Sequence, residues 1–292
     1  MMETGTLVTY PDGAVRGTST VLHVEELGDE RRAVVLAETP AHPVDPTWPD
    51  QGSDRGALLV GEERFELLDC RIGAWRDGEL HLGERLPARL GTEGWAFVVA
   101  HVVSADAPVA VGDEVGVEID EEYRGELSRG HTACHLASLA LNAAVADLWS
   151  KDVRVDSLGR PDFDQTAIQS SLIRRSGSTD VYRLGKSLRR SGFDAARLRE
   201  ELPAVVERAE RLLADWTGTD AAVVIERDDA LLSSRRTWRC SLPEGEAAIL
   251  CGGTHVGRLS ELGEVRISLA LEDDGASLRM ETDAAAQRRL RL

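Results

Sequence analysis

Two short segments of the chain carry residue types that bind transition metals. His131 and His135 are four residues apart, so on a helix both imidazoles would lie on one face, with about 5–6 Å between their Cβ atoms. Cys251 and His255 flank Gly252-Gly253, which lets the backbone turn and bring the two side chains together. Three imidazoles and one thiol form a ligand set that suits zinc. We therefore predict a zinc site at His131, His135, Cys251 and His255.

Neither segment is a specific signal alone, because a histidine pair at this spacing arises by chance and a single cysteine usually packs as a small apolar residue. Together they are more specific, since three of the 7 histidines and two of the 4 cysteines fall within them. For Cys134, between the two histidines, we favour packing over ligation. Four protein ligands would close a tetrahedral site, so a catalytic centre here requires one weak or displaceable ligand.

The composition indicates a globular protein with room for two domains. The chain has 292 residues, 42% of them hydrophobic, and no apolar run approaches the length of a membrane-spanning helix. The N-terminal residues lack the charged and apolar blocks of a secretory signal, so we expect a cytoplasmic protein. Four scattered cysteines do not form a disulfide framework, and a reducing compartment suits thiolate metal binding.

The charge is strongly acidic overall but locally basic. The formal net charge of -17 argues against broad nonspecific binding to nucleic acid. Residues 171–199 nevertheless contain eight basic residues and two acids, which predicts a positive patch. The patch could bind phosphate groups or could be a solvated helix face, and the sequence favours neither interpretation.

The elements that would position these residues predict an α+β fold. Residues 6 to about 100 contain short apolar runs separated by turn signals, which indicates a β-barrel-like or sandwich N-terminal domain over 1–110. Within it, the proline-rich segment 40–56 is a long loop of the kind that is functional or mobile. Residues 111–292 would form an α+β domain with an antiparallel sheet and a buried helix carrying the metal ligands.

That helix is predicted over about 122–149, because its interior is apolar nearly all round. Residues 152–179 are polar and predict an irregular segment. Helices are expected at 187–190 and 203–216, the latter with Pro203 in its first turn. Further strands are expected at 221–225, 247–250, 265–271 and 278–281, with a hairpin turn at Asp273-Asp274-Gly275.

With these motifs in place, the chain resembles a known family. His131–Leu136 and Cys251–Val256 resemble the HxxxH and CxxxH motifs in the second additional domain of threonyl- and alanyl-tRNA synthetases and in the free-standing alanyl-tRNA editing proteins of the AlaX type. Flanking segments also match: Gln51–Gly56, Val111-Gly112-Asp113, Ile119-Asp120, Arg124, Arg129 and Glu261-Leu262-Gly263. Two segments differ from the editing pattern, Trp48-Pro49-Asp50, where longer members have a glycine run, and Tyr182–Arg190. A specialised branch that clears fluorothreonine from tRNA would fit such differences.

The resemblance implies a zinc-dependent aminoacyl-tRNA deacylase. It would act in trans on the ester of a mischarged tRNA, either Ser-tRNA(Ala) or a threonine analogue such as fluorothreonine on tRNA(Thr). Aminoacyl-tRNA would be the partner, with neither DNA nor membrane involved. Candidate pocket residues, chosen by proximity to the ligands, are Thr132, Gly253 and Thr254; candidate tRNA-binding residues from the basic patch are Arg183, Lys186, Arg189 and Arg190.

Two other functions remain open at this point. The chain could be a non-catalytic tRNA- or synthetase-binding module with a structural zinc, or a zinc hydrolase of small esters or peptides that does not use RNA. The basic patch discriminates the last of these, because replacing Arg183, Arg189 and Arg190 by Glu should weaken action on tRNA if RNA docks there.

Overall fold

The computed structural model describes residues 4–83, 86–272 and 275–285, and strands dominate it, with few helices. The α+β class predicted from the sequence is confirmed. In the described part of the chain, no helix has both the length and the apolar character needed to cross a membrane. The strands are β1 Leu7–Val8, β2 Arg16–Gly28, β3 Arg31–Leu36, β4 Glu38–Thr39, β5 Gly56–Val60, β6 Glu63–Glu66, β7 Asp69–Arg76, β8 Glu79–His81, β9 Ala96–Ser104, β10 Glu114–Ile119, β11 Ile168–Arg174, β12 Gly177–Arg183, β13 Val223–Arg227, β14 Arg236–Leu242, β15 Gly245–Leu250, β16 Glu264–Leu271 and β17 Ser277–Ala285. The helices are α1 Glu121–Ala144, α2 Phe163–Ala167, α3 Lys186–Arg190 and α4 Ala195–Thr217.

The described residues divide into two compact units that interleave in sequence. The first unit comprises the described residues of Met1–Gly125, Ile225–Arg236 and Gly252–Thr254; the second comprises those of Glu126–Val224, Thr237–Cys251 and His255–Leu292. The division into 1–110 and 111–292 stays a prediction.

One antiparallel sheet forms the core of the first unit, with strand order β6-β5-β10-β2-β3-β9-β7-β8. Side chains alternate across it: Val34 and Leu36 of β3 pack in one apolar cluster and Ala33 and Val35 in another. In the described residues β6 and β8 are the edge strands of this sheet and do not pair with each other. The expected barrel-like closure is therefore wrong. Short alternating strands separated by turns occur in open sheets as well as barrels, so the sequence pattern does not distinguish the two.

The 40–56 loop is anchored within the first unit by a buried ion pair. Asp54, only 2% exposed, accepts a hydrogen bond from the backbone N–H of His42 at 2.5 Å and one from Arg124 Nε at 2.7 Å. Arg124 also donates to the carbonyl of Pro40 at 2.8 Å. These contacts hold both ends of the loop against the start of α1.

The second unit contains an antiparallel sheet of order β11-β12-β17-β16 and a β14–β15 hairpin. The irregular segment expected at 152–179 is therefore wrong, because α2, β11 and the start of β12 lie within it. The buried face of β12 carries Ser178, Asp180 and Tyr182, side chains with polar groups that hide the period-two pattern of a strand. The antiparallel pairing of β16 with β17 agrees with the expected hairpin; Asp273 and Asp274 of its turn lie outside the described residues.

The helix boundaries differ from the predictions at two places. Helix α1 ends at Ala144, and a 3₁₀ turn over Ala146–Leu148 follows. Helix α4 begins at Ala195, eight residues before Pro203, because Asp194 caps it by accepting the backbone N–H groups of Ala196 and Arg197. Pro203 lies inside this helix, on its exposed side.

Candidate metal centre

A close approach of α1 to the sheet of the second unit positions the histidine pair. At Gly130, a Cβ atom would lie 2.5 Å from the carbonyl oxygen of Arg174 and 2.6 Å from that of Gly177. Real Cβ atoms do not approach backbone atoms so closely, so the helix can lie against the turn between β11 and β12 only with glycine here. This contact places His131, the next residue, and His135 one turn later.

The ligand atoms of His131, His135, Cys251 and His255 converge within the second unit, where they all lie within 4.8 Å of one another. Cys251 Sγ is 3.3 Å from His131 Nε2 and 3.2 Å from His255 Nε2. Tetrahedral zinc, with Zn–N of about 2.0–2.1 Å and Zn–S of about 2.3 Å, separates neighbouring nitrogen and sulfur ligands by about 3.5 Å. The group predicted from the sequence could therefore bind a metal, and its spacing and ligand types are compatible with zinc.

The environment of His135 supports metal binding independently of these distances. The residue is 9% exposed, and its buried Nε2 has no hydrogen-bond partner among the described residues. A buried polar atom without a partner is costly, and a bound cation would satisfy it. Burial first, and the neighbouring His131 second, hold the pKa of His135 well below its ordinary value. The neutral imidazole that results is the form that binds metal.

Thr132 contacts the ring of one candidate ligand, His255. Its side chain is fully buried, and its Oγ1 lies 3.2 Å from His255 Nδ1. The same oxygen accepts the backbone N–H of Val256 at 3.2 Å. The Thr132 hydroxyl, for which the pocket role stays a prediction, thus contacts the imidazole of a candidate metal ligand.

Trp238 of β14 is a contact that sequence reasoning missed. Its buried ring packs edge-to-face on His135, with centroids 5.3 Å apart, and lies 6.3 Å from the ring of His255. The β14–β15 register pairs Trp238 with Ile249, two residues before Cys251. Recognising that hairpin in the sequence would have placed an aromatic side chain near the ligands.

Residues 252–254 belong to the first unit, where two side chains hold them. Gln51 donates from Nε2 to Thr254 Oγ1 at 2.9 Å, and its Oε1 accepts the backbone N–H of Thr254 at 3.1 Å. Tyr10 donates its hydroxyl hydrogen to the carbonyl of Gly252 at 3.1 Å. Both Gln51 and Thr254 are buried, at 1% and 2% exposure. The pocket role predicted for Gly253 and Thr254 stays a prediction.

Cys134 bonds to a carboxylate and is not part of the candidate ligand group. Its Sγ lies 3.5 and 3.6 Å from the two carboxylate oxygens of Asp180, which also accept hydrogen bonds from Ser171 and Ser178. Burial first, and Asp180 second, raise the pKa of the Cys134 thiol well above its ordinary value. A protonated, buried thiol matches the packing role expected for this residue.

Ion pairs divide the predicted basic patch into two groups. Three arginines pair with carboxylates: Arg174 with Glu281 and Asp283, Arg175 with Glu126, and Arg197 with Asp147 and Glu201. Arg199 bonds the carbonyl of Gly275. Among the described residues, no carboxylate pairs with the exposed side chains of Arg183, Lys186, Arg189 and Arg190. Lys151, missed in the sequence analysis, joins this second group, because its Nζ donates to the carbonyl of Arg190 at 2.8 Å.

Comparison with known proteins gives one consistent similarity. No protein-family model matches the chain. It is 31% identical to an alanine–tRNA ligase of Chloroflexus aurantiacus over 166 residues, which covers 54% of this chain and 17% of that protein. It is 24% identical to the alanine–tRNA ligase of Corynebacterium glutamicum (strain R) over 74% of this chain and 20% of that protein. It is 26% identical to the alanine–tRNA ligase of Dehalococcoides mccartyi over 87% of this chain and 24% of that protein. The chain thus spans about a fifth of the length of these relatives, which is consistent with a single domain of such proteins.

Proposed function

We propose that this chain is a trans-editing hydrolase that cleaves the ester bond of a mischarged aminoacyl-tRNA. The convergence of His131, His135, Cys251 and His255 carries the proposal, because it supplies a metal-binding group. The similarity to a segment of alanine–tRNA ligases supports a tRNA-linked substrate. We propose serine on tRNA(Ala), or a threonine analogue such as fluorothreonine on tRNA(Thr), as the acyl group removed.

In this proposal the four side chains hold Zn²⁺, and the surrounding residues keep them in place. When bound, zinc supplies Lewis-acid polarisation of the ester carbonyl and a water of lowered pKa. His131 and His135 present their imidazoles from one face of a rigid helix, and the Trp238 ring covers His135. For hydrolysis, one of the four side chains must be weak or displaceable, since four firm ligands would leave no open position.

The unpaired cations of the second unit offer a site for the phosphate backbone of tRNA. The arginines that pair with carboxylates are already neutralised. In contrast, no carboxylate among the described residues pairs with Arg183, Lys186, Arg189, Arg190 or Lys151. Their charges therefore remain available for phosphate contacts in a chain that is acidic overall.

A second function, a non-catalytic tRNA- or synthetase-binding module with a structural zinc, is favoured by one feature of the same site. Four protein ligand atoms lie close enough to complete a tetrahedron, which is the arrangement of structural zinc sites. The two functions predict the same metal binding but differ in whether the ester is cleaved.

The test is deacylation of tRNAs charged with Ser, Gly, Ala, Thr and a threonine analogue, with and without chelator. We expect the zinc-loaded chain to cleave one of these esters at least about 100-fold faster than the chelated chain, since loss of the metal removes its stabilisation of the transition state. His135→Ala should abolish cleavage but leave tRNA binding intact. The matched control is His81→Ala, which removes a partly exposed histidine of the first unit.

The two functions give opposite results in this assay. A zinc-loaded wild type that binds tRNA and cleaves none of the esters would contradict the hydrolase and support the structural-zinc module. Cleavage that is equal with and without chelator would contradict the metal-dependent mechanism.

A further inference from the structure

We infer that Thr132 is a positioning residue that sets the tautomer and orientation of His255 for metal binding. The inference rests on the metal centre of the proposed function and assigns Thr132 a role other than contact with substrate. It is carried by one buried oxygen atom, Thr132 Oγ1, that contacts both the ring and the following backbone of a candidate ligand.

The four candidate ligands differ in how their own backbone holds them. His131 and His135 lie within α1, so the helix fixes their directions. Cys251 and His255 lie outside any helix or strand, after the end of β15. The imidazole of His255 therefore needs a contact from another element to hold its ring plane, and Thr132 provides one at 3.2 Å from Nδ1.

The same hydroxyl oxygen also holds the main chain beyond the ligand. It accepts the backbone N–H of Val256, the residue after His255, at 3.2 Å. Thr132 is fully buried, so water does not compete for either bond. A single atom on α1 thus contacts both the side chain of His255 and the backbone that follows it.

The donor and acceptor roles follow from the atoms that each nitrogen faces. A hydroxyl oxygen has two acceptor positions, and the Val256 N–H takes one. If His255 Nδ1 carries the ring hydrogen, it donates to the second position. Nε2, which is 3.2 Å from Cys251 Sγ, then carries the lone pair that would bind the metal. The opposite tautomer would place a hydrogen on Nε2, where it would block metal binding.

The test compares Thr132→Val, which keeps the shape but loses the hydroxyl, with Thr132→Ser, which keeps the hydroxyl. Zinc affinity is measured on metal-stripped protein by competition with a chromophoric chelator, and the Co²⁺-substituted protein is examined by absorption spectroscopy. We expect Thr132→Val to weaken zinc binding by about 10–100-fold and to change the Co²⁺ absorption bands, because loss of a partner to a metal-binding histidine has effects of this size. Thr132→Ser should stay close to wild type.

Ser138→Ala is the matched control. Ser138 is buried on the same helix, at 7% exposure; its hydroxyl donates to the carbonyl of His135 and makes no hydrogen bond to an imidazole among the described residues. Its removal should leave zinc affinity and the Co²⁺ spectrum unchanged. Circular dichroism of the metal-free proteins checks that each variant folds.

A measurement on the wild type is independent of whether Thr132→Val folds. In the zinc-loaded protein, long-range ¹H–¹⁵N spectra should show His255 with a protonated Nδ1 and a metal-bound Nε2. Metal bound at Nδ1 would overturn the inference, as would equal zinc affinity in Thr132→Val and wild type, or equal weakening by the Val and Ser variants. A wild type that binds neither Zn²⁺ nor Co²⁺ would instead remove the metal centre itself, and with it the proposed function.

Discussion

At the scale of single residues, Asp164 is held in surroundings that disfavour its charge. Its carboxylate accepts hydrogen bonds from Tyr182 and Gln165, and burial raises its pKa to about 7, with Asp180 and Asp162 adding repulsion. The folded chain therefore keeps a proton on this group that the unfolded chain has already lost above about pH 4. Its contribution to stability is present below that pH and is lost as the pH rises to about 7.

Asp164→Asn should remove this pH dependence. The free energy of unfolding of the wild type should fall relative to that of the variant between pH 4 and pH 7, by at most about 4 kcal/mol for a pKa shift of about three units. Denaturant unfolding at several pH values measures the difference, in which the titration of groups that do not interact with Asp164 cancels. Asp152→Asn, at an exposed position, is the control. Parallel curves for wild type and Asp164→Asn would contradict the prediction.

At the scale of elements, the contact between α1 and the β11–β12 turn couples helix packing to the metal centre. Gly130 brings the helix backbone against the carbonyl oxygens of Arg174 and Gly177, and His131 follows directly. The sequence shows the glycine but not the distant turn that requires it. A shift of α1 away from the sheet would move two of the four candidate ligands together.

Gly130→Ala should destabilise the chain although alanine favours helices. The added Cβ must displace backbone atoms, which costs about 3 kcal/mol, against a gain of about 1 kcal/mol in helix propensity. Thermal or denaturant unfolding of the metal-free protein measures the net loss, and zinc affinity should fall as well. Gly52→Ala, whose added Cβ meets nothing closer than 3.9 Å, should be nearly neutral. Equal stability of the two variants would rule out a tight helix–sheet contact.

At the scale of the whole molecule, the distribution of charge limits where the proposed tRNA partner would bind. A net charge of -17 repels phosphate, so binding must depend on cations that no carboxylate neutralises. In the described part of the chain, four cations without such a partner lie in or just before α3, namely Arg183, Lys186, Arg189 and Arg190, whereas Arg174, Arg175 and Arg197 are paired. The sequence identified the excess of positive charge but could not show which residues keep it.

Changing Arg183, Lys186, Arg189 and Arg190 together to Gln should weaken tRNA binding and its salt dependence. Each lost phosphate contact lowers the slope of log K against log salt by about 0.7–0.9, so the four together should lower it by about 3. Fluorescence anisotropy with labelled tRNA over a salt series measures the slope. Arg197→Gln is the control, because its guanidinium already binds Asp147 and Glu201. An unchanged slope in the fourfold variant would mean that tRNA binds elsewhere.

The sequence by itself determined the features that depend on local spacing. Helical geometry places His131 and His135 on one face, and a glycine pair lets Cys251 and His255 turn toward each other, so the convergence of these candidate metal ligands was predictable. The α+β class followed from strand-like and helix-like periods. The buried face of β12 is polar, so the strand does not show alternating hydrophobic and polar residues, and it was not predicted.

Only the tertiary structure decided which partners these residues have. The pocket role predicted for Thr132 from its proximity to His131 stays a prediction, whereas the contact of its hydroxyl with His255, 123 residues away, is visible only in the folded chain. Trp238 reaches His135 through a hairpin, and the carboxylates that neutralise Arg174 come from β17. Such contacts join segments that are distant in the chain, and they form because the folded core holds both partners in place, which no spacing along the sequence records.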